Sequence, residues 1–484
     1  MKAIKKFIAA AILLASFQSS AFAIEKSTLT FDSSDPNLVT CFKWAKDQAL
    51  QFAFQSDPVG LWYEASVPGR EAFCMRDTSH QVLGAHLLGL DKYSLNMLGK
   101  FAENISQSKD FCTYWELNRC NKPAPIDYRN DQEFWYDLPA NFEVIDACWT
   151  AYLWTHDKSY IKAKNFNHFY KLTVNDYVNR WDLQLDKIQT RQRYMNRPSF
   201  DPNDEYQFSR GIPSYHEGQP QNIRFGADLL ASQVAAYRSY SEILKLQNKN
   251  KQAAIFSKKA KDITSFLEDT LWDKTNDRPH ELMLTDDSYV TDTGTQIYLL
   301  YHDALQSLDK KLKTLDAITR GPQITMEIHS HYAQVYYRYG QPQIAYDWLM
   351  KLSDPKMPRR EYPEVSYGTI AAIVEGLMGV EPSQTENKIA TLSRLTPKTK
   401  CAKISNLPFH NNTIDIEHHA QNQTTLTNHS SRTITWQARF YGDEPQLFID
   451  GKKVKAQKDT DKVNNPYIWT EIKIAPKQSV TVTK

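Results

Sequence analysis

Asp77, Glu143, Glu217, Asp292, Glu327 and Glu364 each stand at or near the point where a polar, aromatic-rich stretch gives way to an amphipathic helical pattern. If alternate helices form one inner ring, all six carboxylates gather at the same end of it. Paired carboxylates do general acid–base chemistry. One, kept protonated, gives its proton to a leaving oxygen; another, kept ionised, activates water or attacks directly. Cleavage of a glycosidic bond asks for this pair, so the expected substrate is a carbohydrate.

The surroundings suggest roles. Glu217 lies in Ser214-Tyr-His-Glu-Gly-Gln, where aromatic neighbours would desolvate it and raise its pKa, as a general acid requires. Glu364 follows Pro363 at a helix start, where the helix N-terminal charge would keep it ionised, as a general base requires. The plainer reading of each is a helix N-terminal acid with no chemistry. Asp77 is the third catalytic candidate, in a run dense with polar groups: Arg70, Glu71, Arg76, Ser79, His80 and Gln81. There Arg70, Arg76 and His80 could hold sugar hydroxyls, and either arginine could bind a uronate carboxylate in bidentate fashion. A structural ion-pair network would use the same residues. Glu143 and Asp146 share one helix face, preceded by Trp135, Tyr136 and Asn141, and either line a pocket or cap a helix. Trp62 and Tyr63 are candidates for stacking on a sugar ring, or for the core. Tyr215, His216 and Tyr367 complete the expected binding residues.

Other patterns carry less. His329 and His331 are two apart and would point apart on a helix, and His418-His419 would face opposite sides of a strand. Asp201-Pro-Asn-Asp-Glu205 is acidic but lacks calcium-loop spacing. No Gly-rich phosphate loop, Gly-x-Ser-x-Gly or CxxC is present, so neither a metal nor a cofactor is expected. Residues 1–23 read as a secretion signal: Lys2, Lys5 and Lys6, an apolar run from Phe7 to Phe17, and Ala21-Phe22-Ala23 before cleavage. A periplasmic or secreted protein with no membrane anchor is the expectation. Without those three lysines the chain has 55 Lys+Arg against 56 Asp+Glu, a balance that argues against nucleic acid as partner. With 11 Trp, 26 Tyr and 22 Phe, many Tyr and Trp are expected to be partly exposed, as where sugar rings are stacked, though a large core uses them too. Six cysteines in an exported chain permit disulfides; Cys112 with Cys120 is the favoured pair, and the other pairings stay open.

The elements that must position these residues are helical from about 36 to 382. Spacing and end signals predict helices near 37–54, 73–89, 92–106, 140–155, 158–180 and 220–245. Six more follow near 249–272, 291–306, 309–318, 325–339, 342–352 and 364–379. Links within a helical hairpin are short and those between hairpins long, notably 55–72, 107–139, 181–219 and 273–290, so the long loops emerge on one face. After Leu395 the period becomes two, predicting strands at Thr413–His418, Thr433–Phe440, Gln446–Ile449, Lys452–Ala456, Tyr467–Ile474 and Ser479–Thr483. Asp450-Gly451 is a tight-turn signal between two of them. Residues 24–395 are thus expected to form the catalytic domain, and 396–484 a small antiparallel β domain resembling a sandwich.

Six helical hairpins with polar loops on one face and a late β domain resemble the six-hairpin glycosidase superfamily. The likeness is carried by Gly69-Arg-Glu-Ala-Phe-Cys-Met-Arg-Asp-Thr-Ser-His-Gln81, Trp135-Tyr-Asp-Leu-Pro-Ala-Asn-Phe-Glu143, Tyr215-His-Glu-Gly218 and Tyr362-Pro-Glu-Val-Ser-Tyr367. Val374-Glu-Gly-Leu-Met-Gly379 is similar to the last inner helix of rhamnosidase-like bacterial members. The resemblance implies a mainly α fold, an (α/α)6 toroid followed by the β domain. It also implies an inverting glycoside hydrolase acting on a poly- or oligosaccharide as monomer or homodimer. By position it places the general acid at Glu217 and the general base at Glu364. Two alternatives stand beside it: a polysaccharide lyase using Tyr215 or Tyr367 on a uronate-containing glycan, and a non-catalytic glycan-binding protein.

Overall fold

The computed structural model describes residues 27–192, 209–217, 222–321, 325–410 and 412–484. The expected leader, Gly218 and the acidic stretch at 201–205 lie outside the described residues.

Among the described residues, twelve α-helices of five residues or more carry the first four-fifths of the chain: α1 (Pro36–Gln51), α2 (Met75–Leu87), α3 (Asp91–Glu103), α4 (Pro139–Thr155), α5 (Lys164–Leu172) and α6 (Ala227–Leu246), then α7 (Asn250–Asp269), α8 (Ile297–Tyr301), α9 (Leu308–Arg320), α10 (Tyr332–Arg338), α11 (Pro342–Ser353) and α12 (Pro363–Ala371). Helices α1, α4, α11 and α12 open on proline, whose fixed φ suits the first turn and whose missing N–H costs nothing there. Several close on a left-handed glycine, as at Gly89, Gly340 and Gly379. A π-helical segment, Ala372–Leu377, continues α12.

The even-numbered helices touch in succession: α2 with α4, α4 with α6, α6 with α8, α8 with α10, α10 with α12, and α12 with α2 again. The odd-numbered helices back them; α7 lies on α6, and α11 on α10 and α1. Burial follows this division. On α7 only the stripe Ala253, Phe256, Ala260, Ile263 and Leu267 is buried with Thr264, one apolar face as a covering helix needs. By contrast α4 and α12 are buried almost all round. Helices α2 and α12 approach closely at Gly84, where a Cβ would fall 2.4 Å from the Tyr367 carbonyl oxygen.

Two expected helix starts move because short strands precede the helices. Ala72–Cys74 pairs with Glu116–Asn118, so α2 begins at Met75, and Ile223–Gly226 pairs with Leu282–Leu284, so α6 begins at Ala227. The helix expected over 291–306 shrinks to α8; Asp292 and Asp303 take left-handed φ on either side of it. The buried Glu281 ties the turn before it by accepting from the Asp292 N–H at 2.6 Å and the Thr293 hydroxyl at 2.7 Å.

The remaining chain forms two larger sheets. The seven-stranded one runs in the order 30–33, 401–409, 412–419, 423–428, 479–483, 446–449, 452–455. The five-stranded one runs 380–382, 388–392, 434–441, 466–474, 457–460. Ile449 pairs with Lys452, and Asp450 and Gly451 have φ of 48° and 77°, the two-residue turn that Asp-Gly favours. Sheet residues now begin at Val380, earlier than the boundary expected at 395, and Thr30–Ser33 at the other end of the chain joins them. Short apolar runs flanking a helix cannot be told from helix ends by period alone.

This region docks on the C-terminal ends of the even-numbered helices. His410 donates its backbone N–H to the Trp154 carbonyl at 3.2 Å, and His418 Nε2 lies 2.9 Å from the Met378 carbonyl. The opposite, N-terminal ends are left to the long loops. All six cysteines are thiols: the expected Cys112–Cys120 pair is not formed, Cys112 being buried and Cys120 exposed.

Candidate active site

At the N-terminal end of α2, Arg76 organises the acids. Its Nη1 donates to Asp137 Oδ2 at 2.6 Å and to Glu217 Oε1 at 2.9 Å. Its guanidinium lies 3.8 Å from the centre of the Tyr215 ring and 5.3 Å from that of Trp115, a cation held over aromatic faces. Arg76 itself is buried, whereas the Glu217 side chain is 40% exposed, so Glu217 sits at the mouth and Arg76 beneath it. The segment bearing Glu217 is pinned from α6: the buried Asp228 accepts from the Ser214 hydroxyl at 3.0 Å and from the Tyr215 N–H.

One turn deeper lie the other two catalytic candidates. Asp77 accepts a hydrogen bond from the Tyr362 hydroxyl. Burial, reinforced by the charge of Glu364, raises its pKa to about 7. Glu364 is buried at the start of α12, 2.6 Å from His80 Nδ1 and 3.3 Å from His331 Nε2. Burial alone would raise its pKa; the charge of His80 and the His331 hydrogen bond win, holding it at about 2. His80 is the counterpart. Burial would lower it, but Glu143 and Glu364 outweigh that and raise it to about 10. Glu143, 3.6 Å from His80 Nε2, is held well below the carboxylate range by His80 and His302 despite its burial. The floor of the site is therefore an imidazolium between two carboxylates.

His80, His331 and Glu364 also form the one trio among the described residues with the makings of a metal site, their ligand atoms all within 4.8 Å. The pair His80–Glu364 at 2.6 Å is closer than two ligands stand on an ion with bonds of about 2.0–2.1 Å. It is the separation of a charge-assisted hydrogen bond. The trio fits an ion-pair network better than it fits a metal.

Other expected residues fall elsewhere. Trp62 is a core residue: it stacks on Phe54 at 4.6 Å and donates its indole N–H to Asp57 at 2.7 Å. Tyr63 and Tyr367 are buried against each other, ring centres 5.1 Å apart, and the Tyr367 hydroxyl donates to the Ala49 carbonyl, so neither meets a substrate. Trp135 and Tyr136 are buried as well, and the Tyr136 hydroxyl donates to Asn141. These aromatics follow the second course open to large apolar rings, packing rather than stacking. Arg70 is occupied by Asp127 at 2.8 Å and Glu116 at 3.0 Å. Asp292 pairs with Arg278 at 2.7 Å; Glu327 pairs with Arg359 at 2.5 Å and acts electrostatically on Tyr215 beside Arg76. His216, beside Glu217, is half-buried near the mouth. Sequence reasoning missed Trp115, Asp137, Asp228 and Tyr362. Of these only Asp137, in Trp135-Tyr-Asp, and Tyr362, in Tyr362-Pro-Glu, stood within motifs already singled out.

No protein-family model matches the sequence, and no curated protein matches it. Solved structures do. An α-L-rhamnosidase from Dictyoglumus thermophilum superposes with a TM-score of 0.62 at 14% identity, over 95% of this chain and 51% of that one. A GH78 family rhamnosidase of Bacillus sp. GL1 gives 0.57 at 12% identity, over 82% and 40%. A putative kojibiose phosphorylase from the human microbiome gives 0.53 at 11% identity, over 93% and 63%. This chain thus spans between two-fifths and two-thirds of the length of these structures. What is shared at such identities is the fold, that of the rhamnosidase structures.

Proposed function

We propose that this protein is an exported glycoside hydrolase whose helical region is an (α/α)6 toroid, capped by the β region at the end away from the catalytic residues. The observation that carries the reading is a split between neighbouring carboxylates. Asp77 is raised to about 7 while Glu364, which acts on it electrostatically, is held at about 2. Environments that push paired carboxylates apart in this way are how one site holds a proton donor and a base at the same pH. Glu364, kept ionised by His80 and His331, is the base that activates water. Asp77, which keeps a proton up to neutrality, is the donor that this split supplies, and Glu217, ion-paired with Arg76 at the exposed mouth, is placed to meet the leaving oxygen. Arg76 holds Glu217 in place until substrate displaces that contact. Two further features support this reading: the polar groups stand at the N-terminal ends of the even-numbered helices, and the superposed structures include named rhamnosidases. Export rests on the leader-like residues 1–23.

The lyase reading loses its support. Tyr367 lies in the core, and burial drives the Tyr215 phenol far above the usual range although Arg76 opposes it, the wrong direction for a base.

The test is hydrolysis of a panel of plant and bacterial glycans by wild type beside Glu217→Gln. Reducing sugar released by the first and lost in the second supports the proposal. Product absorbing in the ultraviolet, or no product from any glycan with binding retained, refutes it. Anomeric analysis of early product by NMR then tests inversion, which requires the two carboxyl groups about 6.5–9.5 Å apart.

A further inference from the structure

The helical ring encloses a second space, which neither Glu217, Asp77 nor Glu364 lines. It is a cavity of about 600 Å³ running from the middle of the ring to the β region, within the range of small-molecule sites. Its deep end is made by His80, Glu143, Asp146 and His302; Ala147, Thr150 and Trp154 line it along α4; and Arg439, Lys462 and Tyr467 of the β region close the far end. His80 divides it from the catalytic end, one ring nitrogen on Glu364 and the other facing Glu143.

Two observations point to a ligand. First, the deep end is unsatisfied: both nitrogens of the buried His302, Nε2 of His80 and Oε2 of Glu143 lack a hydrogen-bond partner. His302 lies 3.8 Å from Glu143 and 3.9 Å from Asp146, and His80 lies 3.6 Å from Glu143. These gaps are too long for good direct hydrogen bonds, which leaves each of these atoms open to a hydroxyl standing in the cavity. Buried polar groups left so are costly. Second, the charges along the walls answer one another. Arg439 pairs with Glu381 at 2.6 Å, Lys462 with Asp303 at 2.5 Å, and Arg338 with Glu375 at 3.4 Å while donating to the Tyr301 carbonyl at 2.6 Å. The two other lining arginines donate to backbone carbonyls, Arg394 to Glu375 and Gly376 and Arg238 to His302 and Asp303, so an ionic ligand would meet cations that are already hydrogen-bonded. A neutral molecule with several hydroxyls, each able to donate and accept, matches both acids and imidazoles.

We propose that this lumen is a second binding site, for a neutral polyhydroxylated molecule of mono- to disaccharide size, separate from the catalytic end and reached from the side of the β region. The proposal does not depend on hydrolysis. The probes are D-glucose, D-mannose and L-rhamnose, titrated calorimetrically into the full chain. Saturable binding is expected, weakened at least ~10-fold, about 1.4 kcal/mol, by Thr150→Trp, which fills the lumen, and retained in Glu217→Gln. Wild-type crystals soaked in the bound sugar should show it between His302 and Arg338, a result that holds even if Thr150→Trp fails to fold. No binding of any of the three sugars, or only water at that place, overturns the proposal whether or not the protein is a hydrolase. Binding that survives Thr150→Trp and vanishes in Glu217→Gln puts the sugar at the catalytic end and overturns it too. Sugar in the lumen of a protein that cleaves nothing would sink the proposed hydrolase and leave this site standing.

Discussion

At the scale of single residues, the site is a set of buried charges that hold one another. Arg76 takes Asp137 and Glu217, His80 takes Glu364 and approaches Glu143, and each side chain's ionisation depends on its neighbour. Substituting Glu217→Gln or Glu364→Gln should lower kcat about 10²–10⁴-fold, with KM changed only a few-fold, measured on whichever glycan is cleaved. Asp77 gives a pH signature. Its pKa of about 7 means its proton is lost as pH rises through neutrality, so wild-type kcat should fall there, and Asp77→Asn should abolish that limb. A limb unchanged in Asp77→Asn would show that another group sets it. Asp77 and Glu364 stand in the first turns of α2 and α12, where an acid is conspicuous in the sequence, whereas Glu217 lies in the segment before α6. Their partners were less conspicuous: His331 stands just before α10 and Asp137 in the long loop before α4, and nothing in linear spacing tells that these meet.

At the scale of elements, position is set by close packing and by single anchors. Gly84 lets α2 lie on α12, and a methyl there would collide with the Tyr367 backbone. Gly84→Ala should therefore cost about 1–3 kcal/mol by overpacking, read from the urea midpoint. Asp228 acts differently. It holds Ser214 and Tyr215, the two residues that lead to Glu217. Its loss should leave Glu217 present but misplaced, lowering kcat/KM by up to ~10²-fold in Asp228→Ala. A drop no larger than that of an unrelated substitution of equal destabilisation would mean the anchor is merely structural. Helix positions followed from apolar period and terminal residues, since these are local. The short strands before α2 and α6 were not foreseen because each pairs with a segment more than forty residues away.

For the whole molecule, ionisation should set a narrow pH range of stability. Glu364 is depressed from 4.5 to about 2, so its contribution is present above pH 4.5 and lost as pH falls toward 2. His80 is raised from 6.5 to about 10, so its contribution is present below pH 6.5 and lost as pH rises toward 10. Asp77 and Asp228, both raised from 3.8 to about 7, add a decline with rising pH across that interval. Thermal unfolding followed by circular dichroism should give the highest Tm between about pH 4.5 and 6.5. A maximum above pH 8 would contradict the buried network. By itself the sequence determined most of the helices and six of the strands in the β region, because period, capping residues and turn residues act within a few positions. Only the tertiary structure decided which aromatics face the core, that Arg76 and His80 are the centres of the acid clusters, and that a polar lumen lies beneath them. Those outcomes depend on which helices become neighbours, and burial and charge pairing between segments hundreds of residues apart have no local signal.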